Sequence, residues 1–229
     1  MVVKKGTSRE EIRQLCRQLN LHNLAKIKSF EKKDIEDHID YFKYMLEYEI
    51  EERRKNVVAE NRASSNLPEA DLTRKFTGID GWNLDKAKKL EWFESGKSLL
   101  IYGKCGMGKT DMACQVCDTI LESKKRVCYT KMKTFIDAFK PPFTKDKDFL
   151  IRKCEQADLI VLDELLYLPI AGEDLKILYE KVMEYLEKRQ FIFVSCHRPS
   201  DWKGLCDDTI TMDTFYQRVT HICRQFRLK

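Results

Sequence analysis

Gly103-Lys104-Cys105-Gly106-Met107-Gly108-Lys109-Thr110 fits the pattern G-x-x-x-x-G-K-[ST] at every fixed position. The apolar run Leu99-Leu100-Ile101-Tyr102 before it is short enough for a buried parallel strand. Asp111 to Glu122 after it reads as a helix with Met112, Ala113, Val116 and Ile120 on one face. A loop between strand and helix is the setting this motif needs. Its glycines let backbone N–H groups turn inward on a β-phosphate, and the helix N-terminus adds partial positive charge. Lys109 then reaches the β and γ oxygens, and the Thr110 hydroxyl ligates Mg²⁺. ATP or GTP is the expected ligand, held by Gly103, Lys104, Cys105, Gly106, Met107, Gly108, Lys109, Thr110 and Asp111. A glycine-rich turn that matched by chance would not need both flanks.

The 229 residues carry 42 Lys+Arg against 37 Asp+Glu, a net charge of +5 that permits a nucleic-acid partner without requiring one. A hydrophobic fraction of 43% suits one α/β core with a smaller appendage. Met1-Val2-Val3-Lys4-Lys5 opens no basic-then-apolar signal, and no apolar stretch approaches the roughly 18 residues of a membrane span. The expectation is a cytoplasmic protein without a membrane partner. Nine scattered cysteines without a secretory signal point to reduced thiols. The C-x-x-C Cys114-Gln115-Val116-Cys117 falls inside the helix after the loop, where buried small apolar residues explain it better than a metal or redox site. Cys105 differs. It sits in the phosphate loop beside a helix N-terminus and two lysines, a setting that favours oxidation, although a tolerated variable position serves as well.

Upstream, Ser8-x-x-Glu11 is a capping box for an amphipathic helix through about Asn20, with Ile12, Leu15, Cys16 and Leu19 at helical spacing. Asp34 to about Asn61 places Ile35, Ile39, Phe42, Met45, Leu46 and Ile50 on one stripe before a charged run at 51–55 that reads as a solvated face. The natural reading is a helical module over 1–65 whose apolar face packs internally. A linker over 66–80 and a nucleotide-binding domain over 81–229 follow. Trp82 to Ser95 reads as one helix leading to the first strand. Arg126–Thr130, Leu159–Asp163 and Phe191–Ser195 read as further strands, and Glu173–Arg189 as a helix. Strands alternating with helices predict a parallel sheet sandwiched by helices, the α/β fold of a P-loop NTPase.

Asp163-Glu164 ends a fully apolar strand, where a carboxylate must sit to meet the Mg²⁺ held by Thr110. Asp163 would bind the metal through water, and Glu164 would polarise the attacking water as general base, an arrangement of hydrolases. A helix cap is the other use of such a pair.

With these residues in place, the chain resembles the IstB-like and DnaC-like branch of the AAA+ ATPases, the insertion-sequence transposition helpers and bacterial helicase loaders. The resemblance spans nearly the whole length. It rests on the helical N-terminal module, the phosphate loop, and Asp163-Glu164-Leu165-Leu166-Tyr167-Leu168-Pro169. Ser195-Cys196-His197-Arg198-Pro199 with Asp201-Trp202, and Phe215-Tyr216-Gln217-Arg218-Val219-Thr220-His221, continue the family's order. The D-E-x-x-Y-L-P run and the R-P-x-D-W ending lean toward the transposition helpers.

The resemblance implies an ATP-hydrolysing homo-oligomer that engages DNA and assists a transposase or, in the alternative, loads a replicative helicase. Lys109, Thr110, Asp163 and Glu164 carry over directly. His197 stands where the family usually has a sensor asparagine, which puts efficient hydrolysis in question. Arg218 matches the arginine that reaches a neighbouring subunit's nucleotide, with Gln217 in place of the usual aspartate; one more basic residue on a solvated face is the plain alternative. Gln225-Phe226-Arg227 stands for the family's S-Y-R ending, making Arg227 the candidate second sensor. The short stretch from Arg218 suggests that part of the final strand or lid is missing and that Arg224 serves instead.

Residues 131–153 fall where relatives carry an insertion that faces nucleic acid. Here Lys131, Lys133, Lys140, Lys145, Lys147, Arg152 and Lys153 interleave with Phe135, Phe139, Phe143 and Phe149, which suits backbone-level DNA contacts. Phe135 and Phe139, four apart, also suit a core. Two other classes stay open. A metabolic P-loop kinase would need an acceptor pocket and usually lacks the acidic pair, and a nucleotide-dependent scaffold would bind ATP with little hydrolysis.

Overall fold

An apolar run without polar alternation needs cover on both faces, and a computed structural model of the chain shows what provides it. The structure describes residues 9–27, 38–76, 80–81 and 84–228, which fall in two compact units, Met1–Glu60 and Asn61–Lys229. The first holds α1 (Arg9–Gln18), α2 (His22–Lys26) and most of α3 (His38–Ser64). In the second follow β1 (Asp80–Gly81), α4 (Leu84–Lys88), α5 (Glu91–Glu94), β2 (Ser98–Tyr102), α6 (Lys109–Glu122), β3 (Val127–Lys131) and α7 (Met132–Ala138). Then come α8 (Lys145–Gln156), β4 (Leu159–Asp163), α9 (Gly172–Leu186), β5 (Gln190–Ser195), α10 (Thr209–Ile222) and β6 (Cys223–Arg227), with a 3-10 turn over Pro199–Leu205.

The sheet runs β1-β6-β2-β5-β4-β3, with five strands parallel and β1 antiparallel on β6. Successive strand residues face opposite ways. Leu100, Ile160, Leu162, Phe191 and Phe193 therefore join the layer of α7, α9 and α10, while Leu99, Ile101, Val161, Ile192 and Val194 join that of α6. Each such side chain, fully buried, contributes about 1.5–3 kcal/mol. The connection after β2 runs out to β3 at the sheet's edge, whereas β6 returns to the other side of β2. The chain thus parts at the C-terminal end of β2, where α/β sheets open a crevice.

The four parallel strands read from the sequence are present with ends shifted by at most one residue. The expected single helix from Trp82 to Ser95 is not; Trp82 itself lies outside the described residues. Leu90, at φ 62, separates α4 from α5, and the buried Trp92 donates its indole N–H to the Ala87 carbonyl at 2.9 Å across the break. The final strand is also fuller than expected. β6 pairs with β2 over five residues, from Ser98↔Cys223 to Tyr102↔Arg227. Its C-terminal end reaches the crevice through Arg227, whereas Arg224 pairs near the far end of β2.

In the helical unit the apolar face expected to pack internally is exposed. Ile12, Leu15 and Leu19 in and just after α1, and Ile39, Phe42 and Ile50 on α3, all face solvent. Buried apolar side chains among the unit's described residues are Leu24 and Ala25, beside a carboxylate, Glu49, that is 2% exposed. Glu49 accepts from the backbone N–H groups of Asn23 and Leu24 at 3.0 and 2.8 Å, capping α2 from across the unit, and from Arg53 Nε at 2.8 Å. Ser8 of the capping box and 34–37 of the expected second helix lie outside the described residues.

Candidate nucleotide-binding site

Two glycines shape the loop after β2. A Cβ on Gly103 would stand 2.6 Å from the Leu228 carbonyl oxygen, so the close approach of the chain behind the loop requires its absence. Gly108 opens α6 at φ 81, where a side chain is strained. From there the helix presents Lys109 and Thr110 in its first turn. Lys109 is 7% exposed and donates to the loop's own Lys104 carbonyl at 2.8 Å.

The Thr110 hydroxyl donates to Asp163 Oδ2 at 2.9 Å, bringing together residues 53 apart, at the start of α6 and the end of β4. Asp163 closes β4, is 5% exposed, and also accepts from its successor's backbone, Glu164 N to Oδ1, at 2.6 Å. That contact accompanies a left-handed Glu164 (φ 56), a conformation costing a non-glycine residue about 1–3 kcal/mol. Two residues of β3 complete the arrangement, Tyr129, which the sequence reading gave no site role, and Lys131, which it placed among the DNA-facing cations. Tyr129 and Lys131, two apart and thus on one side of the edge strand, reach the two acids. The Tyr129 hydroxyl donates to Asp163 Oδ2 at 2.6 Å, and the Lys131 ammonium to Glu164 Oε1 at 2.7 Å. Burial, then the bond to Asp163, pushes the Tyr129 phenol well above its usual range, so it stays a donor. The bond and charge of Glu164 raise the Lys131 pKa. The strand–strand register that pairs Lys131 with Asp163 could have been guessed from matching strand ends, but not which side chains it would join.

A cavity of about 420 Å³ opens here, lined by Arg74, Gly108, Thr110, Asp163, Glu164 and Cys196 among others. Its size suits a small-molecule site. The paired oxygens of Thr110 and Asp163 are the hard donors Mg²⁺ takes, so the residues present fit that ion. Arg74 comes from the stretch read as a linker. Its guanidinium meets Asp111 Oδ2 at 2.9 Å and the Gly106 carbonyl at 3.2 Å, while Gln115 Nε2 donates to the Arg74 carbonyl at 2.9 Å. Asp111, expected among the nucleotide contacts, lines the cavity and also holds residues 71–74 against the loop. No sequence motif marks Arg74; an isolated Arg after Pro68 carries no periodicity.

Other expected site residues lie elsewhere. Cys196, not His197, lines the cavity with Thr110 and Asp163. His197 Nε2 stands 3.3 Å from the Tyr167 carbonyl, and the residue lines a second cavity with Lys104, Met107 and Arg227. Arg218 is exposed on α10 and lines neither cavity. Cys114 and Cys117 are buried in α6, and burial pushes the Cys114 thiol up to about 12, as a core role requires. Phe135 is in the core and Phe139 packs against it at 5.2 Å, whereas Phe143 and Phe149 are exposed.

The model of the IstB-like ATP-binding proteins matches residues 14–229. The chain belongs to that family. Among curated relatives, an insertion-sequence ATP-binding protein of Sinorhizobium fredii is 21% identical over 80% of this chain, which spans 64% of that protein's length. The ATP-binding protein of insertion sequence IS21 from Pseudomonas aeruginosa is also 21% identical, over 92% of this chain and 82% of its own. Among solved structures, AMPPCP-bound DnaA from Aquifex aeolicus superposes with a TM-score of 0.54 at 20% identity, covering 72% of this chain and 52% of that one. The likeness is one of fold, the P-loop α/β sheet with flanking helices. The family to which the chain belongs is one of ATP-binding proteins, and its fold is that of a P-loop protein. Among its described residues no helix is long and apolar enough to cross a membrane.

Proposed function

We propose that this IstB-like protein hydrolyses ATP with Mg²⁺, assembles as a homo-oligomer on DNA and assists a transposase. The observation that carries the reading is the meeting of Thr110, Asp163 and Glu164 beside the phosphate loop. The loop's N–H groups and Lys109 would bind the phosphates, and Thr110 with Asp163 would hold the metal, which when bound neutralises charge on the β and γ oxygens. Glu164 would orient and deprotonate the attacking water. In the structure its carboxylate is tied to Lys131, so turnover requires that pair to part. Tyr129 keeps Asp163 in place throughout.

Arg218, exposed on α10, is free of the cavity in its own chain and is assigned to the neighbouring subunit's nucleotide. Its removal would then cost a factor of about 10³–10⁵ in turnover. Exposed Phe143 and Phe149, with Lys133, Lys145 and Arg152, form the surface proposed for DNA backbone contact. A second reading, a nucleotide-dependent scaffold with little hydrolysis, draws support from the Lys131–Glu164 ion pair.

ATP turnover with and without DNA, followed together with mass by light scattering, separates the two. Turnover stimulated by DNA in a large assembly is expected, lost in Arg218→Ala without loss of ATP binding. Glu164→Gln should bind ATP and lose about 10²–10⁴ in kcat, and Lys131→Ala should raise the rate measured without DNA. A monomer whose hydrolysis ignores DNA and Arg218 would defeat the assembly reading. ATP binding with no turnover under any condition would establish the scaffold.

A further inference from the structure

We infer that Cys105 and Cys196 form a reversible oxidation site, closing to a disulfide across the nucleotide cavity when a peroxide reaches them. The two Sγ atoms lie 3.3 Å apart although 91 residues separate them in the chain. That is within roughly an ångström and a half of bonding distance. One partner is exposed in the glycine-rich loop, next to Gly106, which has open space around it. The other is half-buried and follows Ser195, whose hydroxyl anchors the end of β5 to the Leu165 carbonyl at 2.9 Å. An exposed thiol thus faces a half-buried one beside an anchored strand end.

The remaining close pairs are built differently. Cys128 and Cys154 lie 3.7 Å apart, but each is only 1% exposed inside the core, and Cys114 and Cys117 are buried in α6. Among the described residues, Cys105 is the exposed cysteine, so a dissolved oxidant meets the Cys105–Cys196 pair first. Reactivity follows that access. Cys105 loses its proton and attacks one peroxide oxygen; the O–O bond breaks and the other oxygen leaves as hydroxide, which takes up a proton in place of the one released and becomes water. The Cys196 sulfur then attacks the Cys105 sulfur, the S–O bond breaks, and the hydroxyl departs with the Cys196 thiol proton as a second water. Two thiols and one hydrogen peroxide give one disulfide and two waters, the sulfurs losing two electrons. Burial, and then the bond with Cys105, raises the Cys196 thiol pKa, while the ammonium of Lys109 works against that rise. The second step thus proceeds beside the lysine that the proposed reaction also uses.

The consequence rests on the ATP reading above. A bond from the loop's third residue to the end of β5 would hold the loop's N–H groups away from the phosphates, lowering affinity. Losing even one such contact to a charged phosphate corresponds to about tenfold or more.

The full-length reduced protein would be treated with hydrogen peroxide and blocked with an alkylating reagent. It would then be mapped by mass spectrometry without reduction, and binding of a fluorescent ATP analogue measured before and after. A Cys105–Cys196 cross-linked peptide that dithiothreitol removes is expected, with affinity falling about tenfold or more and returning on reduction. In Cys196→Ser the link should vanish and Cys105 should accumulate as a sulfenic acid trapped by dimedone. The wild-type map decides the matter by itself should that variant not fold. Oxidation that links Cys128 to Cys154, or joins Cys105 to another chain, without the Cys105–Cys196 peptide would overturn the site. The link forming with affinity unchanged would overturn its effect on nucleotide. Absence of ATP binding in the reduced protein would instead defeat the nucleotide reading, with the peptide map still deciding the oxidation site.

Discussion

The parallel strands of the sheet unit bury their apolar side chains in two layers, whereas the helical unit holds the apolar stripes of α1 and α3 in the open. Leu100, Phe193 and Val161 are fully buried; Ile39 and Phe42 are 75% and 66% exposed. Both sets follow the periodicity of their element, 2 for strands and 3.6 for helices. Periodicity specifies which residues share a face, and the fold alone specifies whether anything within the chain meets that face. The sheet unit is held by apolar contact. Among the described residues of the helical unit, the buried anchor is a carboxylate: Glu49 gathers the N–H groups of Asn23 and Leu24 together with Arg53, which also donates to the Asn20 carbonyl.

The largest effect should come from the sheet. Phe193 is fully buried and stacks on Phe191 at 5.0 Å with planes 4° apart. Phe193→Ala removes that stack and leaves a cavity between β5 and the overlying helices, for an expected loss of about 3–5 kcal/mol in urea unfolding. A loss below about 1 kcal/mol would mean that the layer is loosely packed, and the contrast between the units would fail.

How far each region could be read from sequence follows from the same difference. The strands announced themselves because Leu159 to Leu162 and Phe191 to Val194 have no polar residue to expose, and only a doubly covered sheet suits them. The loop and its acids announced themselves because phosphate and metal chemistry fixes residue types at fixed positions. What was not legible depends on distant pieces meeting. Arg74 reaches Gly106 and Asp111 from a stretch with no motif; Tyr129 and Lys131 gain their partners only through the register of β3 on β4; and Cys196 enters the cavity where His197 was expected. The break at Leu90 likewise came from tertiary packing of Trp92, which overrode a continuous helical pattern.

An intermediate effect is expected at Glu49. Glu49→Ala leaves the first N–H groups of α2 and the Arg53 guanidinium without their acceptor, costing about 1–3 kcal/mol of local stability. Loss of amide-exchange protection at Leu24 would report it. The same contact should depend on pH. Burial raises the Glu49 pKa, but the hydrogen bond from Arg53 and those from Leu24 and Asn23 lower it by more, so the net direction is down from 4.5. A folded value below the unfolded one means that the stabilisation is complete above about pH 4.5 and is lost as pH falls through the folded value. Protection at Leu24 should therefore fade on acidification, and Glu49→Gln should remove that dependence. Protection that persists unchanged at acid pH in the wild type would show that apolar contacts, not the carboxylate, hold α2.

The smallest effect is expected on the stripe itself. With two-thirds of its surface in solvent, Phe42 has little burial to lose, and Ala is the better helix former. Phe42→Ala should therefore change unfolding stability by no more than about 0.5 kcal/mol, an order of magnitude less than Phe193→Ala on a side chain of identical size. Measuring both variants at low and high protein concentration sharpens the comparison. A loss of 2 kcal/mol or so at Phe42 that grows with concentration would show the stripe covered by another copy of the chain. A loss of that size independent of concentration would place its cover within the chain, and the distinction between the two units would then lie in packing density rather than in what holds them.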